Sequence, residues 1–177
     1  MFFACLCGPL FAAEFHTIRH VSDGDTIVLD DDTKVRLIGV DTPEIADQAR
    51  NRDNARRYHA DESTVRAFAE KAKKLVQVLT EDRRVRLEYD WQKKDKYNRT
   101  LAYVYIDTGY PVLSKFQAVD GYAYEAFGGE WYVFLNATLV KSGYGFAYTF
   151  FPFRYSEDFR TYGREAREKK RGLWRAG

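Results

Sequence analysis

The sequence predicts one small α+β domain with a barrel-like sheet, and three observations carry that expectation. Strand-like runs separated by turn residues fill positions 15–40. An amphipathic helix follows at 63–79, and two more alternating segments lie at 85–89 and 100–106. Strands, a helix and strands again favour a small barrel over a doubly wound sheet, in which helices alternate with strands throughout. The 177 residues, 45% hydrophobic and 31% charged, are enough to bury one sizeable core.

Each element has a local reason. Thr17-Ile18, Thr26-Ile27-Val28-Leu29 and Val35-Arg36-Leu37-Ile38 are rich in β-branched residues, and Asp30-Asp31-Asp32 is the clearest turn between two such runs. Pro43 closes the extended segment, because it cannot donate to a ladder. Residues 46–62 are polar, with neither alternation nor a helical stripe, and read as a long loop. In the helix, Val65, Phe68, Ala69, Ala72, Leu75, Val76 and Leu79 recur at steps of three and four. Residues 93–98 read as a turn, 110–134 as an aromatic-rich insertion interrupted by glycine, 135–142 as helix-compatible and 162–170 as a basic helical tail.

Residues 1–13 are apolar, uncharged and too short for a stable bilayer-spanning helix. They resemble a signal h-region ending at Ala12-Ala13, although no positive n-region precedes them. Phe3-Ala4-Cys5 also loosely resembles a lipoprotein cleavage box. The expectation is a leader at 1–13, a domain at 14–177 and a secreted or cell-envelope location, with membrane attachment only if Cys5 is lipidated. The alternative is a disordered or partly docked apolar terminus. Cys5 and Cys7 are the two cysteines, so cleavage after Ala13 leaves no disulfide.

A formal net charge of +2 conceals an uneven distribution. Residues 23–47 are acid-rich, whereas 50–74 and 160–175 are base-rich, which suits a metal pocket beside a polyanion track. Charge alone reads equally well as ordinary solvated faces.

The densest chemical signal is Asp23-Gly24-Asp25-Thr26 followed by residues 35–44, where carboxylates and Arg36 sit as strands give way to a loop. A hard cation such as calcium needs several oxygen ligands gathered in this way. Asp23-Gly24 taken alone is more simply a hairpin turn, and residues 41–44 alone a cap or turn. Strand parity sets a test. Arg36 and Asp41 are an odd number of residues apart, so they share a face only if Gly39 bulges or the strand ends before Asp41. His16 and His20 lack further Cys or His partners, which argues against zinc.

Three strings, Asp23-Gly24-Asp25-Thr26, Arg36-Leu37-Ile38-Gly39-Val40-Asp41-Thr42-Pro43-Glu44 and Asp95-Lys96-Tyr97-Asn98-Arg99-Thr100-Leu101-Ala102-Tyr103, stand in this order. Together they resemble the staphylococcal nuclease family over about residues 17–112 and again over 135–174, and Gly172-Leu173-Trp174 resembles its usual end. The resemblance implies a five-stranded, partly open Greek-key barrel of the oligonucleotide-binding (OB-fold) type with helices packed around it. It also implies a calcium-dependent hydrolase of DNA and RNA that leaves 3′-phosphates, with no obligate protein partner.

The resemblance further implies residue roles. Asp25, Asp41 and the Thr42 carbonyl would hold Ca2+, and Glu44 would act on the attacking water. Arg36 and Arg99 would grip the phosphate, with bidentate forks that lysine cannot copy. Lys96 and Tyr97 would contact the terminal phosphate or sugar, or else be plain exposed turn residues; Tyr148 falls near the family's nucleotide-stacking tyrosines.

Several departures stand out. Asn98 replaces a frequent glycine but tolerates a left-handed conformation. Thr149 and Phe151 replace hydroxyl-bearing aromatics. The insertion at about 113–134, with Tyr122, Tyr124, Phe127, Trp131, Tyr132 and Phe134, could stack bases or form a satellite core, and the second reading is favoured. Arg50, Arg52, Arg56 and Arg57 either guide a strand or stay solvated. Two competing classes are a non-catalytic nucleic-acid-binding module of the same fold and a calcium-stabilised interaction domain.

Overall fold

The structure, a computed structural model, describes residues 15–44, 48–58, 60–111 and 119–176. The expected leader with Cys5 and Cys7 and part of the insertion lie outside the described residues. Strands β1 (Phe15–Asp23), β2 (Thr26–Leu29) and β3 (Lys34–Leu37) form an antiparallel meander. Asp23 pairs with Thr26, so Gly24-Asp25 is a two-residue hairpin turn. The second turn uses Asp32 at φ 67°, a conformation aspartate tolerates.

After the short β4 (Val40–Asp41) come α1 (Gln48–Tyr58) and α2 (Glu62–Thr80), then β5 (Arg84–Glu88) and the long β6 (Thr100–Pro111). The strand order β3-β2-β1-β5-β6 closes because β6 also pairs in parallel with β3, Arg36 opposite Leu101. The five-stranded OB-type barrel is therefore closed rather than partly open. Beyond it, β7 (Tyr124–Phe127) and β8 (Glu130–Phe134) form a hairpin that extends the sheet from β6. Helix α3 (Leu135–Lys141), β9 (Phe146–Ala147), α4 (Ser156–Glu168) and a 3-10 turn (Gly172–Ala176) complete the chain.

One expectation fails here: the polar stretch read as a loop contains helix α1. Its inward residues, Asn51 and Asn54, are polar, so no apolar stripe marks it. By contrast α2 follows its sequence signal closely. Asp61 caps it by accepting from the Thr64 amide at 2.8 Å, and Val65, Ala69, Ala72 and Val76 face inward. Each fully buried valine there contributes about 1.5–3 kcal/mol.

The core runs through the barrel and out under α3 and α4, with Ile27, Leu37, Tyr103, Leu139 and Phe159 fully buried. Four of the insertion's aromatics belong to this main core rather than to a satellite, whereas Phe127 is exposed. Tyr132 and Phe134 are buried in it, and Tyr122 and Tyr124 pack against it. Phe127, Tyr105 and Tyr132 surround the Arg86 guanidinium at 4.3–5.7 Å. Among the described residues no helix is long and apolar enough to cross a membrane.

Asp90 ties the end of β5 to the segment before α4. Burial acts to raise its carboxyl, but the Arg154 amide at 2.8 Å, the Tyr103 hydroxyl and the Trp91 amide at 2.9 Å hold it below the usual carboxylate range. A folded value below the unfolded one gives stability that is complete above about pH 4 and lost as pH falls through the folded value. Asp90→Asn should therefore lower Tm at neutral pH and flatten its further fall in acid. An acid limb as steep as the wild type's would remove Asp90 from the acid response.

Candidate active site

A turn, a strand end and the barrel closure assemble the site. The Leu37 amide donates to the Asp25 carbonyl at 2.9 Å, fixing the β1–β2 turn beside β3. Gly24 permits close approach there, since a Cβ would lie 2.8 Å from the Ala72 Cβ and 2.9 Å from the Thr42 Cγ2. From β3, Arg36 reaches Asp25 through Nη1, while its Nη2 lies 3.1 Å from Asp41 Oδ1 and 3.1 Å from the Val40 carbonyl. The parity conflict is resolved by the backbone. β3 ends at Leu37, Gly39 takes φ 74°, and Val40–Asp41 begins a separate strand paired with β9.

Asp25 and Asp41 are 1% and 5% exposed. Asp25 Oδ2 accepts from the Thr42 amide at 2.8 Å and hydroxyl at 3.0 Å, and Oδ1 from the Thr26 hydroxyl at 3.1 Å. Thr42 is fully buried, its Cγ2 lying close to both Gly24 and Gly145. Glu44 is half-buried, and α1 clamps its main chain: the Glu44 amide donates to Asn51 Oδ1 at 3.2 Å and its carbonyl accepts from Asn51 Nδ2. Sequence reading missed Asn51, because only recognition of α1 would have turned it inward.

The parallel pairing of β3 with β6 brings Arg99, just before Thr100, to the same end of the barrel as Arg36. Asp95 holds Arg99 side-on, at 2.7 Å to both Nε and Nη2, and accepts from the Tyr97 and Arg99 amides at 2.9 and 3.0 Å. Burial acts to raise the Asp95 carboxyl, but these hydrogen bonds and the Arg99 charge hold it low. Asn98 is left-handed at φ 63°, as its residue type allows. Lys96 Nζ and the Arg99 guanidinium lie 5.0 and 5.5 Å from the Tyr97 ring centre.

Arg36 and Arg99 open on one cleft of about 550 Å³ lined also by Lys96, Tyr97, Tyr148 and Trp91, among others, whereas Asp25, Asp41, Thr42 and Glu44 are not among its lining residues. Tyr148 arrives through the β4–β9 pairing, its amide donating to the Gly39 carbonyl at 2.9 Å. Trp91, 65% exposed, is a cleft residue that the sequence did not single out. Among the described residues, the insertion's aromatics do not line this cleft. Arg52 and Arg56 are exposed on α1, with Arg56 3.5 Å from Asp53; the side chains of Arg50 and Arg57 lie outside the described residues.

Two buried carboxylates bridged by one guanidinium carry a net negative charge and offer oxygen donors, a set that fits a hard cation such as calcium better than zinc. Asp25, Asp41 and Glu44 are not drawn together as tightly as His16, Asp30 and Asp31, the one such trio within 4.8 Å among the described residues. That trio lies at the β1 and β2 ends with both carboxylates exposed. His16 thus faces Asp30 at 3.6 Å, while His20 is 3.4 Å from the Ser22 hydroxyl.

The domain is thus a closed OB-type barrel in which Arg36 links two buried carboxylates to a basic, aromatic cleft. The chain belongs to the staphylococcal nuclease homologue family, whose model matches residues 34–176. It is 40% identical over 96 residues to a thermonuclease of Staphylococcus intermedius, covering 52% of this chain and 49% of the relative. A thermonuclease of Staphylococcus hyicus is 29% identical over 163 residues, 90% of this chain and 75% of the relative. Endonuclease YhcR of Bacillus subtilis is 26% identical over 164 residues, 89% of this chain but 11% of that much longer protein.

Proposed function

We propose that the protein is a calcium-dependent phosphodiester hydrolase that cuts DNA and RNA and leaves 3′-phosphates. One observation carries most of this reading: Arg36 joins the buried Asp25 and Asp41 and at the same time lines the cleft it shares with Arg99. A phosphodiester is already anionic, and attack on phosphorus adds negative charge to its oxygens. The two guanidinium forks neutralise that charge where it develops. Asp95 keeps Arg99 oriented. Glu44, fixed by Asn51, accepts a proton from the attacking water. Lys96, Tyr97 and Tyr148 hold the nucleotide beside the arginines. Asp25, Asp41 and the Thr42 carbonyl would hold calcium, which would supply Lewis-acid polarisation of the phosphoryl group.

The test is degradation of plasmid and single-stranded DNA with calcium, with chelator and with calcium restored. Cleavage that disappears in chelator and returns with calcium is expected. Full activity after exhaustive chelation would overturn the metal dependence, and tight binding without cleavage would return the chain to the non-catalytic binding module.

A further inference from the structure

We propose that the exposed face of α4 is a second nucleic-acid contact, an exosite that takes the phosphates of a single strand as it leaves the cleft. The proposal rests on the nuclease reading and adds a site outside the catalytic residues. Arg160, Arg164 and Arg167 recur at steps of four and three, so they share one helix face, and all three are exposed. The span from the first to the third rises about 10 Å along the helix, enough for more than one phosphate. The inward face of the helix is anchored by Phe159 and Ala166, both fully buried, so the arginines stand on a fixed support.

These arginines line a groove of about 670 Å³ that also contains Phe150 and Trp174. Arg167 stacks 4.3 Å above the Trp174 ring, which holds its planar fork in place. Arg164 Nη2 lies 3.5 Å from the Thr161 hydroxyl, and Arg160 pairs with Glu157 at the helix start. Glu168 is the acidic residue among the groove's lining, against three arginines, so the surface stays positive. An exposed ion pair such as Arg160–Glu157 is worth little and yields readily to a phosphate.

Continuity with the cleft identifies the occupant. Tyr148 and Phe151 line the cleft, whereas Thr149 and Phe150 line the groove, so one short segment forms the ridge between the two. The Tyr148 ring centre is 5.3 Å from that of Phe150 and 6.1 Å from that of Phe151. Phe150 is 75% exposed, a costly position for a phenylalanine with nothing to cover it. Exposed rings followed by a row of guanidiniums match a single strand, whose unpaired bases can stack while its backbone is neutralised. A duplex offers the phosphates but not the base faces.

The experiment compares wild type with a triple variant, Arg160→Gln, Arg164→Gln and Arg167→Gln, and with Phe150→Ala. Two substrates are used, a thymidine homopolymer of about 30 nucleotides and a nitrophenyl nucleotide diester too short to leave the cleft. For the polymer, the triple variant should raise KM several-fold at unchanged kcat and flatten the dependence of log KM on log salt by about 0.7 for each arginine–phosphate pairing removed. Hydrolysis of the short diester should be unchanged, and Phe150→Ala should raise the polymer KM without altering the salt slope. An unchanged polymer KM and slope would overturn the exosite, as would equal impairment on the short diester, which would mean that the cleft itself was disturbed. If wild type cleaves neither substrate, the nuclease reading fails. Fluorescence anisotropy of the labelled polymer then decides the exosite by itself, since binding must weaken and become less salt-dependent in the triple variant.

Discussion

Glu44→Gln is expected to lower the cleavage rate by about 10² to 10⁴ while leaving the fold and the substrate affinity in place. Glutamine keeps the size and one acceptor oxygen, so the half-buried position still fills, but it loses the charge and the basic lone pairs that take a water proton. The Asn51 clamp acts on the Glu44 amide and carbonyl, which the substitution does not touch. The loss should therefore appear in kcat and not in Tm. Single-turnover kinetics at saturating DNA give the answer, and wild-type kcat would remove Glu44 from the chemistry.

The second large effect is expected at Arg36. One guanidinium contacts Asp25 and Asp41 with different nitrogens, a span that the single ammonium of lysine cannot reproduce. Arg36→Lys should lower kcat by about 10² to 10³, as the loss of a preorganised charge-stabilising donor does elsewhere, and raise KM far less. It should also lower Tm, because a buried carboxylate is left poorly compensated, a defect worth up to about 3–5 kcal/mol. Arg99→Lys is the internal control. Arg99 pairs with Asp95 in a turn and its side chain is 29% exposed, so kcat should fall with a smaller loss of Tm. Wild-type kcat in both lysine variants would mean that neither fork acts on the transition state.

Much of the fold was legible because its signals are local. The β1–β2 turn shows this best, for the hairpin that Asp23-Gly24 suggests does form, with Gly24-Asp25 as its two turn residues, and it places Asp25 in the site. The parity of Arg36 and Asp41 required either a bulge at Gly39 or an end to the strand before Asp41, and β3 does end, at Leu37, ahead of a left-handed Gly39. Helix α1 was not legible, since its buried positions are asparagines and periodicity detects apolar faces only. Closure of the barrel also escaped the strand pattern, because the parallel pairing of Arg36 with Leu101 joins segments 65 positions apart. The aromatic insertion was half legible. Tyr122, Tyr124, Tyr132 and Phe134 are packing residues as expected, but they pack into the main core by extending the sheet from β6. Trp91 and Phe150 carried no local signal at all, for exposure of an aromatic is decided by the tertiary fold.

The division of labour between Glu44 and the aspartates is tested most directly by isothermal calorimetry of calcium binding to Glu44→Gln and Asp41→Asn, with a nucleotide bisphosphate analogue present. Asp41 is buried and held by Arg36, and removal of its charge should weaken calcium binding together with the rate. Glu44→Gln should bind calcium nearly as wild type does and yet scarcely cleave. If Glu44→Gln loses calcium as severely as Asp41→Asn, Glu44 is a ligand, and its assignment as the proton acceptor is wrong.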